Sequence, residues 1–139
     1  MKSKFRPPQG PNRGKHFSAG QSATGESAQQ QSPLFCLRYL QGDYCLTACN
    51  EEHRAAFASK IHTLSKLTWA EIARSPRHGL GYEIIPQEKI KTSLPAHITK
   101  DMNIIAFRYH AMSPMLGYRL DRTFHVLFLD RDFTLYDHG

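Results

Sequence analysis

Two helix-start signals bracket a single apolar stripe in the middle of the chain, and the residues beyond them alternate as sheet does. That order leaves few architectures open. Asn50 precedes Glu51 and Glu52, so a capping side chain stands ahead of two carboxylates at the positive end of a helix dipole. Phe57, Ile61, Leu64 and Leu67 follow at spacings of four and three, with Arg54, Lys60 and Lys66 elsewhere around the helix. Thr68-Trp69-Ala70-Glu71 fits a capping box, in which the Thr hydroxyl accepts a backbone N–H and the Glu reaches back. A second helix therefore starts at Trp69. It is short, because Ser75-Pro76 disfavours helical geometry and Gly79 and Gly81 follow.

Upstream, Leu34-Phe35-Cys36-Leu37-Arg38-Tyr39-Leu40 is dense in strand formers. Gln41-Gly42-Asp43 is turn chemistry before Tyr44-Cys45-Leu46, so a strand or short hairpin is expected there. Downstream, strands are expected over Tyr82–Ile85, Asn103–His110, Leu116–Leu120, Thr123–Leu129 and Phe133–Tyr136. The stretch 86–100 is expected to be a loop with a helical turn. The predicted class is α+β: a strand, an αα-hairpin, then an antiparallel sheet of about four strands with the helical pair against one face.

This domain is expected over residues 34–139, because residues 1–33 have a different texture. They carry Lys2, Lys4, Arg6, Arg13 and Lys15 against Glu26 alone, with Pro7, Pro8, Pro11 and a Ser/Gln-rich run. Such a stretch buries too little apolar surface to offset its ordering entropy, so a disordered basic tail is predicted. No apolar run approaches the roughly 20 residues of a membrane-spanning helix. Cys36, Cys45 and Cys49 form no paired framework, which favours a reducing, cytoplasmic setting.

Alternation along Asn103–His110 puts Ile105, Phe107 and Tyr109 on one face and Ile104, Ala106, Arg108 and His110 on the other. If the later strands pair in sequence, Arg119 and His125 join Arg108 on that second face, with Tyr136 and His138 at the chain end. Guanidinium forks there would hold phosphate, and imidazole or phenol would transfer protons. The alternative is that these charges decorate a solvated sheet face. Cys45, Cys49 and His53 lie four residues apart, a spacing to test against zinc ligation, but the cysteines fit better as small apolar packing residues, and neither metal nor cofactor is expected. Trp69 fits core packing better than base stacking. Arg74, Arg77 and His78 cluster where the second helix ends, a candidate secondary binding patch.

In order and spacing, Ser75-Pro76-Arg77-His78-Gly79, Ile105-Ala106-Phe107-Arg108, Gly117-Tyr118-Arg119-Leu120 and Val126-Leu127-Phe128-Leu129-Asp130 running into Tyr136-Asp137-His138 resemble the RelE/ParE superfamily of bacterial toxins. The resemblance covers about residues 34–139. It implies a strand, an αα-hairpin and an antiparallel sheet, and an endoribonuclease that cuts messenger RNA, often on the ribosome, and is neutralised by a cognate antitoxin. Carried over by position, Arg108 and Arg119 would hold the scissile phosphate, and Tyr136 and His138 would assist attack by the 2′-hydroxyl. Here tyrosine precedes histidine, the reverse of the more usual order, so the identity of the general base stays open, with His125 a further choice. Lys89, Lys91, His110, Arg122 and His125, together with Arg74, Arg77 and His78, would bind RNA. Some relatives instead inhibit a protein target without cutting RNA, so a non-catalytic binding module is the alternative.

Overall fold

Helix α1 spans Glu51–Ser65 and helix α2 Trp69–Ala73 in the computed structural model, which describes residues 27–137. Both start where their caps predict. The Asn50 side chain accepts the His53 N–H at 2.9 Å, and Thr68 and Glu71 close the reciprocal capping box. The α1 stripe faces inward through Phe57 and Leu64, with Ile61 and Leu67 packed beside them.

Among the described residues five strands form one sheet: β1 Leu34–Cys36, β2 Glu83–Ile85, β3 Ile104–His110, β4 Ser113–Leu120 and β5 Thr123–Leu129. Their order is β1-β5-β4-β3-β2, with β1 parallel to β5 and every other pairing antiparallel. The class is α+β, with five strands where about four were expected. The first strand ends at Cys36, and the expected hairpin partner is replaced by 3₁₀ turns at Gly42–Tyr44 and Leu46–Ala48. Strand β4 begins at Ser113, so the expected connection shrinks to a tight turn in which Ala111 takes the left-handed φ of 51° usually left to glycine. Asp121, at φ 56°, turns the chain from β4 into β5 in the same way.

Phe133–Tyr136 does not form a strand. The buried Asp130 carboxylate accepts the N–H groups of Thr134 and Leu135, each at 2.9 Å, and Phe133 has φ 60°. Those donors are no longer available to a ladder, and the chain folds back over the sheet. The expected tail boundary also moves. Residues 1–26 lie outside the described residues, but Gln31 is buried, its carbonyl accepts Trp69 N–H at 3.0 Å, and Ser32 O accepts Arg122 Nε at 2.9 Å. Residues 31 and 32 thus belong to the folded body.

The main departure concerns the sheet's second face, which was expected to be polar and is instead covered. On the helix side, Trp69, Phe107, Phe124, Val126 and Leu64 form one core. On the other side Ile85, Ile104, Ala106, Leu116, Tyr118 and Leu127 form a second, roofed by Ile90, Leu94, Ile98, Leu135 and Tyr136. Each fully buried large side chain contributes about 1.5–3 kcal/mol. A loop layer therefore does on one face what the helices do on the other. Between the layers, the register of β4 against β5 shifts at Leu116/Gly117. A Cβ at Gly117 would lie 2.0 Å from the His125 carbonyl oxygen, so this close approach of backbones requires glycine.

Candidate active site

Where β2 and β3 meet the folded-back C-terminal segment, an open cleft of about 290 Å³ is lined by Arg77, Glu83, Ile84, Ile85, Pro86, Lys89, Arg108, Tyr136 and Asp137. Each polar side chain arrives there for a local reason. The turn after α2, closed by Gly79 and Gly81 N–H groups on Pro76 O, presents Arg77. Glu83 opens β2 opposite Ala106 of β3, two positions before Arg108 on the same side of the strand. The 3₁₀ turn Gln87–Lys89 brings Lys89 to the rim, and the Asp130 turn delivers Tyr136.

Within the cleft, Arg77 forms an ion pair and hydrogen bond with Glu83 Oε1. Tyr136 donates its phenol to the other oxygen, Oε2, at 3.3 Å. Burial, reinforced by the neighbouring Glu83 carboxylate, pushes the Tyr136 phenol well above its usual range. Tyr136 is therefore a hydrogen-bond donor at neutral pH and cannot serve as the base. Arg108 lies with its Cζ 5.8 Å from the Phe133 ring centroid and donates through Nη1 to Met112 Sδ at 2.7 Å. Lys91 holds the edge, its N–H on Leu135 O at 2.8 Å and its ammonium 2.9 Å from Asp137. Three cations, the two carboxylates of Glu83 and Asp137 and a protonated phenol in an open cleft suit a phosphodiester: cations for its charge, the Glu83 carboxylate for a hydroxyl proton.

Arg119 does not join this group. It stands on the helix face, its Cζ 4.2 Å from the Trp69 ring centroid and its Nε donating to Asp121 O at 2.6 Å. Partial burial lowers its pKa from the ordinary guanidinium value. Along β4, Leu116 and Tyr118 point to the loop-covered face, which leaves Arg119 for the other. The sheet thus separates Arg119 from Arg108.

Other candidates are spread over the molecule. Arg122 is structural: its Nε holds Ser32 O, and its carbonyl accepts Trp69 Nε1 at 2.9 Å and Leu34 N–H at 3.1 Å. His110 pairs with Glu52 at 2.9 Å, and its ring lies 4.6 Å from that of His53, which meets the Tyr109 hydroxyl at 2.7 Å. Arg74 is an exposed C-cap of α2, and His78 accepts from Arg77 Nε at 3.4 Å beside the cleft. His138 lies outside the described residues. Glu83 is the residue that sequence reasoning missed as a site group; the available signal was an acid within a short strand otherwise made of Tyr82, Ile84 and Ile85.

His125 stands on the cleft's side of the sheet but apart from it, stacked on Tyr118 with ring centroids 4.7 Å apart at 11°. Among the described residues its buried Nδ1 has no partner. Burial, and next the His97 imidazole, lower its pKa. The unfolded chain then binds the extra proton more readily, so stability falls as pH drops through the unfolded value of about 6.5 toward the lower folded value. The thermal midpoint should fall more between about pH 7.5 and about pH 5.5 in the wild type than in His125→Phe, which keeps a ring to stack and titrates nothing. Equal falls would show that His125 does not drive the loss.

Asp130→Ala removes the acceptor of two backbone donors that hold the turn before Tyr136. At about 1–3 kcal/mol for each donor left unsatisfied, a loss of about 2–6 kcal/mol is expected in urea unfolding. Asp130→Asn, which keeps one carbonyl oxygen, should lose about half of that.

Protein-family models, curated proteins and solved structures all give no match to this chain. The cleft's own chemistry is the ground for a functional reading.

Proposed function

We propose that the chain is an endoribonuclease of RelE/ParE type that cleaves messenger RNA by attack of the 2′-hydroxyl on the adjacent phosphate. The observation that carries the reading is the meeting of Arg77, Lys89 and Arg108 with the Glu83–Tyr136 pair in one open cleft. The order of strand, two helices and arginine-bearing sheet is in keeping with it. Glu83 accepts the 2′-hydroxyl proton as the O2′–P bond forms. Arg108, with Lys89 at the rim, neutralises the charge on the non-bridging oxygens. The P–O5′ bond breaks and O5′ takes a proton from solvent at the cleft mouth. A 2′,3′-cyclic phosphate and a 5′-hydroxyl result. Because the nucleophile is part of the substrate, alignment and charge stabilisation supply most of the rate. Tyr136 holds Glu83 in place, and Arg77 must exchange its carboxylate partner for substrate phosphate. The ribosome and a cognate antitoxin are the partners that accompany this proposal.

One observation favours a non-catalytic reading, in which the cleft only binds its target: Glu83 is already engaged by Arg77 and Tyr136. Purified protein incubated with synthetic RNA in the presence of a chelator separates the two. The nuclease gives products ending in 2′,3′-cyclic phosphate, and a 2′-deoxy substitution at the cut site abolishes them. Growth arrest on expression without new messenger ends would instead favour the binding module.

A further inference from the structure

On the loop-covered side of the sheet, across the strands from the cleft, four rings stand together that the cleavage chemistry does not use. Tyr118 of β4 faces His125 of β5 in the strand register and stacks on it. The Tyr39 ring lies 6.0 Å from His125 and 4.4 Å from His97. His97 Nε2 meets the Tyr118 hydroxyl at 2.9 Å, which fixes the orientation of its imidazole. The inner members are half-buried or buried, while His97 and the adjacent Arg38 are exposed, and the Arg38 guanidinium lies 5.4 Å from the Tyr39 centroid. The stack is maintained although it leaves His125 Nδ1 buried with no partner among the described residues, which costs free energy that an aliphatic packing would not.

Strand register sets the separation. Glu83 lies on β2 and His125 on β5, three strands away in the sheet order, and Tyr118 packs in the same core as Ile85 and Tyr136. At about 4.8 Å per strand and about 3.3 Å per residue along a strand, the cleft and the stack are on the order of 15 Å apart. That is a span of a few nucleotides of extended single strand.

We infer that Tyr39, His97 and Arg38 form a nucleobase-stacking platform that holds an unpaired base of single-stranded RNA flanking the phosphate in the cleft. Every base has a π face, so the platform reads RNA as single-stranded without choosing a sequence. The exposed imidazole supplies the stacking surface, the Tyr39–Tyr118 scaffold fixes its tilt, and Arg38 supplies a cation for the passing backbone. The inference rests on the RNA-cleaving reading of the cleft and deepens it, since it requires a substrate longer than the scissile dinucleotide.

The test uses the whole chain and 2′-O-methyl RNA, which cannot be cut by 2′-hydroxyl attack, with binding read by fluorescence anisotropy. A hexanucleotide is expected to bind about tenfold more tightly than a dinucleotide, and an otherwise identical hexanucleotide with abasic flanking positions should lose that advantage. His97→Ala should lose it too, while His97→Phe, which keeps an aromatic face, should restore most of it. The abasic comparison uses the wild-type protein and does not depend on a variant folding. Abasic and intact hexanucleotides of equal affinity would overturn the platform. Base-independent binding with normal cleavage overturns the platform alone, and base-dependent binding without cleavage overturns the nuclease alone. If the wild type binds neither oligonucleotide, both are overturned.

Discussion

Arg108→Ala is expected to slow single-turnover RNA cleavage about 100- to 1,000-fold, the range typical of losing one donor that stabilises charge developing in a transition state. Arg108 is the cation of the cleft that rises from the sheet itself, and among the described residues it meets the Met112 sulfur and the Phe133 ring. Among the described residues no ion pair within 4.0 Å holds it, so its removal should change the unfolding midpoint little. Arg119→Ala should behave in the opposite way. That guanidinium is partly buried over Trp69, and losing it should cost about 0.5–2 kcal/mol of stability while cleavage stays near the wild-type rate. Because the sheet lies between the two, the double variant should combine the two losses without coupling. Wild-type cleavage in Arg108→Ala would sink the assignment of the cleft, and a cleavage defect in folded Arg119→Ala would mean that the helix face takes part.

Trp69→Ala is expected to give a large loss of stability, about 3–5 kcal/mol in urea unfolding. Trp69 is fully buried, its ring meets Tyr82 and Phe107 at centroid distances of 6.4 and 6.3 Å, and its Nε1 donates to Arg122 O at 2.9 Å. Truncation opens a cavity, leaves that carbonyl with one partner fewer and takes the ring from beneath Arg119. With native domains stable by only about 5–15 kcal/mol, such a variant stands near its threshold. Trp69→Phe, which refills part of the space but supplies no N–H, should lose about 1–2 kcal/mol. Circular dichroism is the suitable probe, because the chain has one tryptophan and both variants remove it. A loss under about 1 kcal/mol in Trp69→Ala would mean that the helix layer collapses into the gap, and that α2 is held mainly by its caps and by Gln31.

Both helix starts, most of β3 and β5 and the α+β class are legible in the chain alone, because each rests on neighbours a few residues apart. Asn50 needs only His53, and Thr68 needs only Glu71. The stripe through Phe57 and Leu64 needs only the helical period. Arg108, Tyr136, Arg77 and Lys89 were recognisable as candidates by type, and they do meet in one cleft. Their company was not recognisable. Glu83 joins them because β2 pairs with β3, and Arg119 leaves them because alternation along β4 sends it to the helix face. The Asp130 turn replaced a plausible strand because a buried carboxylate outcompeted a neighbouring strand for the same N–H groups. The second roof over Ile104 and Tyr118 depends on residues far away in sequence, which period-two alternation cannot report. Hydrogen bonds over three residues are written in composition and spacing, whereas which side of a sheet a charge occupies is decided only when distant strands choose their register, and a one-residue shift in that choice reverses the answer.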